Sequence, residues 1–551
     1  MDRLHRKTLA IILLLLLSLP SLQAQQEQGI ALSGSIQSDV LVPQKDEAIG
    51  APDYSEWALT NTFAELHLQS RYVDAGARFE YLQHPLPGFE SDYAGWGVPH
   101  VYVRGRMGKA TLTLGDYYEQ FGSGFILRTY EERSLGIDNA LRGGHLVWKP
   151  TDKLTLKALT GRQRHYWDHN DAWLTGFDGQ YDVVLSGNAD RPLYLTLGAS
   201  YVNKHESDED IMVDNTHRLN LPENTHAVDA RIRLQQGAVS VLAEYAYKTQ
   251  DPHVGNGYIY RNGYVAMLSA SYSRKGASLL LQAKRADNMM FRSQRKYDKA
   301  SNASMVNHLP AFTLDHTYAL PALYPYATQY DGEWAFQAEG SYQFKRRTAL
   351  GGRYGTTVKL NVSHIHSPQK EEKLLHGLTM GSDGYTSKFF SWGGTTYYQD
   401  IDVQIEKKLS PDLKLNLMYM NQFYNMGVIE GGTGGMVHSD IVVGEGKYRI
   451  SPKLTLRGEA QYLFTADDEG DWAFGLLELS ALPHWMLTVS DQYNVGLTHE
   501  HYYQASVTFN TGAHRLQAGY GRTRAGYNCS GGVCRYVPAT RGFTFSYNYN
   551  F

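Results

Sequence analysis

The stretch "DYYEQFGSGFILRTYEERSLGIDNALRGG", residues 116–144, holds the chain's densest set of groups able to do chemistry: Asp116, Glu119, Arg128, Glu131, Glu132, Arg133, Asp138 and Arg142. Its carboxylates could serve as a general acid and a general base. Interleaved with arginines, however, they read better as mutual ion pairs. "FGSGF" lacks the flanking Gly and Lys of a phosphate loop and opens no βαβ unit, and it is not a nucleophile elbow. In "RHYWDHNDAW", His165, Asp168 and His169 lie close enough in sequence to bind a metal, but the segment reads as an exposed loop between strands. Cys529 and Cys534, in "NCSGGVC", are expected to form a local disulfide, because zinc needs more ligands than this pair supplies. No catalytic residue, metal centre or cofactor is therefore expected, and a surface hydrolase is the minor alternative.

The elements that must position these groups are strands. In "KLTLRGEAQYLF", Leu454, Leu456, Gly458, Ala460 and Tyr462 share one face, opposite Thr455, Arg457, Glu459 and Gln461. "AVSVLAEYAYK", "PLYLTLGASY" and "LKLNLMY" alternate in the same way. A period of two is the signature of a strand. The apolar face often ends in Tyr and the opposite face carries charge, as lipid outside and a hydrated lumen inside would require. Connections also alternate. Tight turns such as 234–238, 273–277, 449–454 and 510–514 contrast with long segments at 116–140, 205–225, 289–332 and 367–394. About 24 strand-like segments can be counted, with 18–26 as the range, inside the span known for transmembrane barrels. The fold class is thus an all-β, antiparallel transmembrane β-barrel with a loop folded into the lumen. It must close on itself, because an open sheet edge cannot be satisfied in lipid.

Residues 1–24 read as a secretory signal peptide. Arg3, Arg6 and Lys7 precede the apolar run Leu9–Leu19, and Ala24 offers a small residue for cleavage. Residues 25–551 then form a single barrel. The chain has 52 Lys and Arg against 56 Asp and Glu, and loss of the leader makes it slightly more acidic. That balance gives no electrostatic footprint for nucleic acid.

The last residues, "RGFTFSYNYNF", alternate aromatic and polar side chains and stop on Phe551. This ending resembles the C-terminal strand of Gram-negative outer-membrane proteins, and the resemblance implies that Phe551 is read by the barrel-assembly machinery. "GDYYEQFGSG" with "LRTYEERSLGIDNALRGG" resembles the hallmark of a Bacteroidetes outer-membrane barrel family of unassigned function. It implies an outer-membrane location and membership, not an activity.

A barrel this wide needs its lumen restricted. Residues 116–144 are the candidate. Gly122, Gly124, Gly143 and Gly144 allow inward turns, "ILRTYEERSLG" has a helical flavour, and the charges can pair with inward Arg104, Arg106, Lys157, Arg457 and Glu459 on the wall. Two aromatic stretches, "PALYPYATQYDGEW" (residues 321–334) and "FFSWGGTTYY" (residues 389–398), are read as girdle residues, with sugar or protein stacking as the alternative. The functional expectation is a restricted passage for small hydrophilic solutes, in contact with outer-membrane lipid and with both termini periplasmic. The alternative is a non-transporting scaffold for a surface or secretion complex, and no particular protein partner is indicated.

Overall fold

The computed structural model describes residues 29–185, 191–296 and 304–551. The expected leader, residues 1–24, lies outside them. Among the described residues, 24 strands form one antiparallel sheet. The first eight are β1 (Ile30–Pro43), β2 (Leu59–Ser70), β3 (Val73–Leu82), β4 (Gly95–Met107), β5 (Ala110–Tyr117), β6 (Leu141–Thr151), β7 (Leu154–His165) and β8 (Asp168–Val184). Then follow β9 (Leu193–His205), β10 (Asn224–Gln236), β11 (Val239–Lys248), β12 (Gly263–Arg274), β13 (Ala277–Asp287), β14 (Gly332–Phe344), β15 (Thr356–His366) and β16 (Thr396–Lys408). The last are β17 (Leu413–Asn425), β18 (Met436–Ser451), β19 (Leu454–Phe464), β20 (Trp472–Ala481), β21 (Trp485–Asn494), β22 (His501–Thr511), β23 (His514–Thr523) and β24 (Thr540–Asn550).

Each strand pairs with its neighbours in sequence. The sheet closes where β1 meets β24, with Ser35 opposite Asn550 and Pro43 opposite Gly542. Closure gives every strand a partner on both sides, so no row of backbone N–H and C=O groups is left open. The two-residue turns 71–72, 108–109, 237–238, 275–276, 452–453 and 512–513 lie at one end, as do Ile30 and Phe551. The long segments 118–140, 206–223, 288–331 and 367–395 lie at the other.

The alternation in sequence sorts side chains between two environments. Leu268, Leu417, Leu477 and Val489 point outward and are 52–60% exposed. Charged Lys204, Glu244, Lys284 and Asp400 point inward and are at most 3% exposed. This reverses the arrangement of a water-soluble protein. The expected count of 24 strands is met, and the expected starts differ from the observed ones by a few residues. The largest difference is at "RHYWDHNDAW". There β7 and β8 run on into a hairpin turned at Tyr166–Trp167, with a register shift between His169 and Trp173. The segment is therefore paired strand rather than an exposed loop, because Arg162 holds the bulge by donating to the Asn170 carbonyl.

Candidate functional site

The segment 118–140 folds into the lumen, and two glycines make the approach possible. Gly115 has φ +104°, and a Cβ there would sit 2.3 Å from the Val101 carbonyl. At Gly122 a Cβ would sit 2.4 Å from Glu244 Oε1 on the wall. Beside it, Ser123 donates to Glu244 from its backbone N–H at 2.8 Å and from its hydroxyl at 2.6 Å. Glu119 accepts from Lys157 at 2.8 Å, and His145 lies equally close. Burial opposes ionisation of Glu119, but His145 and Lys157 outweigh it and hold the carboxyl below its usual range. Phe121, Phe125, Ile126 and Leu127 are fully buried in the lumen's apolar core.

The expected helical character of "ILRTYEERSLG" is not realised. Glu131–Glu132 pairs with Ile137–Asp138 around a single 3-10 turn, Arg133–Leu135, closed by left-handed Gly136. Local hydrogen bonds divert the backbone: Ser134 N donates to the Glu132 carboxylate, and Tyr130 N donates to Asn139 Oδ1.

Three of the expected site residues, Glu131, Arg133 and Asp138, come together on wall residues that the sequence reading did not single out. Asp138 accepts from Arg78 and Arg164, from Tyr118 at 2.9 Å and from the Ala140 backbone at 3.2 Å. Burial works against its charge, yet Arg164 and Arg78 pull its pKa down to about 2. Glu131 pairs with Arg78 at 3.0 Å and with Arg133 at 2.6 Å, and Arg133 also reaches Glu65. Glu80 completes the cluster, 2.7 Å from Arg78 and 2.8 Å from Arg164. The signal for Arg78 and Glu80 was present as charges two apart on one face of "VDAGARFEYL".

The other candidates are placed differently. Arg128 stacks 4.6 Å over Tyr130, and Glu132 stays at the surface as the cap of Ser134. Asp116 and Arg142 are not lumen residues. They pair with each other across β5 and β6 at 2.8 Å, on the face opposite the lumen-packed Tyr117 and Leu141. Of the expected wall residues, only Lys157 meets this loop. Arg104 donates to Thr113, Arg106 to Asp74, and Arg457 to Glu445 and Glu459.

A second, larger insertion was missed. Of segment 288–331, residues 288–296 and 304–331 enter the lumen and pack on the first loop. Arg128 N donates to the Val306 carbonyl and His308 N to the Gly124 carbonyl, each at 2.9 Å. Asn139 and Gln163 both donate to the Met305 carbonyl. The chain then crosses to the far wall. Tyr318 donates to Glu445 at 3.2 Å, Leu320 N to Gln461 at 2.9 Å and Tyr324 to Asp468 at 2.8 Å. Leu323, Tyr324 and Tyr326 are buried inside the barrel, so residues 321–330 are not girdle residues. The available signal was composition: these aromatics lie in a segment without strand alternation, where dry packing is the other use for them. Trp334, by contrast, clusters with Phe336, Phe389 and Trp392, while Phe390 is 86% exposed. The Cys529–Cys534 disulfide closes the hairpin of Gly526–Ser530 with Val533–Val537. That hairpin braces the insertion, since Thr328 N donates to the Gly532 carbonyl.

The two loops fill the lumen unevenly. Toward the long-loop end of β9–β18 the inward charges Lys204, Glu244, Lys284 and Asp400 are buried, while inward Arg233, Lys359 and Lys414 toward the short-turn end are exposed; inward Gln504 and Thr544 are exposed as well, and Ser490, Gln492, Gln517 and Ser546 are half-exposed. A polar cavity of about 500 Å³ also opens beneath the tip of the first loop, between Gln120, Lys149, Lys157, Arg231 and Glu244. Elsewhere on the wall, His316, Asp400 and Asp402 bring ligand atoms within 4.8 Å of one another.

Residues 5–551 match the family described as "Family of unknown function (DUF6029)". No curated protein matches the sequence. Among solved structures, the chain is similar to the siderophore receptor PirA from Pseudomonas aeruginosa (10% identity, TM-score 0.39, covering 94% of this chain and 80% of that one). It is also similar to the P pilus usher (PapC) translocation pore (10% identity, TM-score 0.42, coverage 95% and 99%). A third is OccAB3 from Acinetobacter baumannii (9% identity, TM-score 0.33, coverage 95% and 99%).

Proposed function

The chain belongs to the DUF6029 family, and from that premise we propose that it is a Gram-negative outer-membrane barrel forming a restricted passage for small hydrophilic solutes. The apolar exterior supports the membrane setting, and the short-turn end with both chain ends is assigned to the periplasm. The hallmark in residues 116–144 supports a Bacteroidetes host. The wall of β21–β24 carries the functional reading. Its inward side is lined by amides and hydroxyls that remain open to water, from Gln492 and Gln504 near the long-loop end to Gln517 and Ser546 toward the short-turn end. The loops plug one side of the lumen and leave this strip free. A lining of Gln, Ser and Thr with the single exposed cation Arg515 toward the short-turn end suits neutral or weakly anionic polar solutes, because it supplies hydrogen bonds with little fixed charge.

Planar-bilayer recording tests the proposal. The intact protein is expected to give small, stable conductance steps, and removal of 119–140 is expected to enlarge them severalfold. Silence from both proteins, with no solute uptake into vesicles, would reject the passage and favour a scaffold role. The extent of the sealed half of the lumen is the observation on the scaffold's side.

A further inference from the structure

We propose that His316, Asp400 and Asp402 form a binding site for one divalent transition-metal cation, which fastens the lumen insertion to the barrel wall. Asp400 and Asp402 lie two apart on β16 and so share its lumen face, with Ile401 and Val403 exposed on the other. His316 arrives from the insertion 288–331. All three are shielded: Asp400 is 0% exposed, Asp402 3%, and the His316 side chain 5%.

The pairing inside this trio is incomplete. His316 Nε2 lies 2.6 Å from Asp400 Oδ2. Asp400 Oδ1 and Asp402 Oδ2 are both buried with no hydrogen-bond partner. Among the described residues, the only ion pair recorded for either carboxylate is the one to His316. Two buried carboxylates facing one imidazole leave negative charge uncompensated, and that is costly unless a cation completes it.

One imidazole nitrogen with two carboxylate oxygens is a donor set suited to Zn²⁺ or Mn²⁺. Metal–ligand bonds of about 2.0–2.2 Å would spread the donor atoms to about 3.3 Å. The 2.6 Å contact must therefore open by less than about 1 Å. An adjoining cavity of about 180 Å³, bounded by His316, Tyr398 and Pro321, has room for a water as a further ligand. The ion would bind a plug residue and the wall at once, so its removal would loosen the insertion. The site stands independently of whether the barrel conducts.

The test uses the full-length protein in detergent, stripped with a chelator and titrated with ZnCl₂ or MnCl₂ by calorimetry, with bound metal measured by mass spectrometry. The expected result is one ion per chain. Affinity should fall at least tenfold in His316→Ala and in Asp402→Asn and stay unchanged in His376→Ala, which alters an exposed loop histidine. Bound metal should also slow protease cleavage within 288–331. Heat-modifiable electrophoretic mobility reports whether each variant keeps a folded barrel. Asp402→Asn is nearly isosteric and decides the matter if His316→Ala does not fold. Failure of both ions to bind the intact protein, or wild-type affinity in folded Asp402→Asn, would overturn the site and leave the trio as an ion pair only.

Discussion

Asp138 shows how much one side chain of the plug can hold. Its carboxylate bridges Arg78 and Arg164, which are at most 3% exposed and share Glu80 as a second partner. Asp138→Ala leaves both guanidinium groups buried and undercompensated, a loss expected to cost about 3–5 kcal/mol. The check is a lower temperature for loss of the folded electrophoretic mobility. Titration supplies a second prediction at this scale. Burial, with Arg128 and Lys284 nearby, pushes His308 down to about 3, and burial likewise takes His253 to about 3. An exposed histidine titrates near about 6.5, so the unlocked loop takes up protons that the packed loop refuses. Loop packing is then fully stable above pH 6.5 and weakens as pH falls toward 3. Asp138 adds its own loss only below its ordinary carboxylate range. Protease cleavage within 288–331 should rise from pH 7 to pH 4, and His308→Gln should remove part of that rise.

At the scale of elements, strands and loops obey different rules. The strands were legible because a period of two is written in every ten-residue segment and needs no knowledge of the partner strand. The loops had no such period. The plug was anticipated from its charges, but much of what anchors it is apolar, with Phe121, Phe125, Ile126 and Leu127 packed in the same core as Phe291, Val306 and Leu309. Phe125→Ala should therefore cost about 3–5 kcal/mol locally. The expected outcome is a protease-sensitive insertion in a barrel of unchanged heat stability, because the strand ladder makes no use of Phe125. Equal loss of barrel stability would mean that the plug and wall fold as one unit.

At the scale of the whole molecule, the sheet turns an apolar surface outward and a polar one inward. Leu477 lies near the middle of β20 and is 60% exposed. Leu477→Arg should reduce the stability of the barrel in vesicles by about 2–4 kcal/mol, if that face meets lipid. Ser490→Arg, on the lumen side of the adjacent strand, should cost far less. Denaturant titration of the vesicle-folded protein compares the two, and equal costs would contradict the assignment of faces.

The sequence by itself pointed to about 24 strands, to the face most strand residues take and to the alternation of short and long connections. These properties follow from local alternation and turn length. It also marked 116–144 as a lumen segment through its glycines and charges. Only the tertiary structure decided that Arg78 and Arg164 meet Asp138, that Asp116 and Arg142 turn away, and that 288–331 crosses the lumen to set His316 against Asp400 and Asp402. Those contacts join residues tens of positions apart across a curved wall. No periodic pattern encodes such distances, and they exist only once the barrel has closed around its own loops.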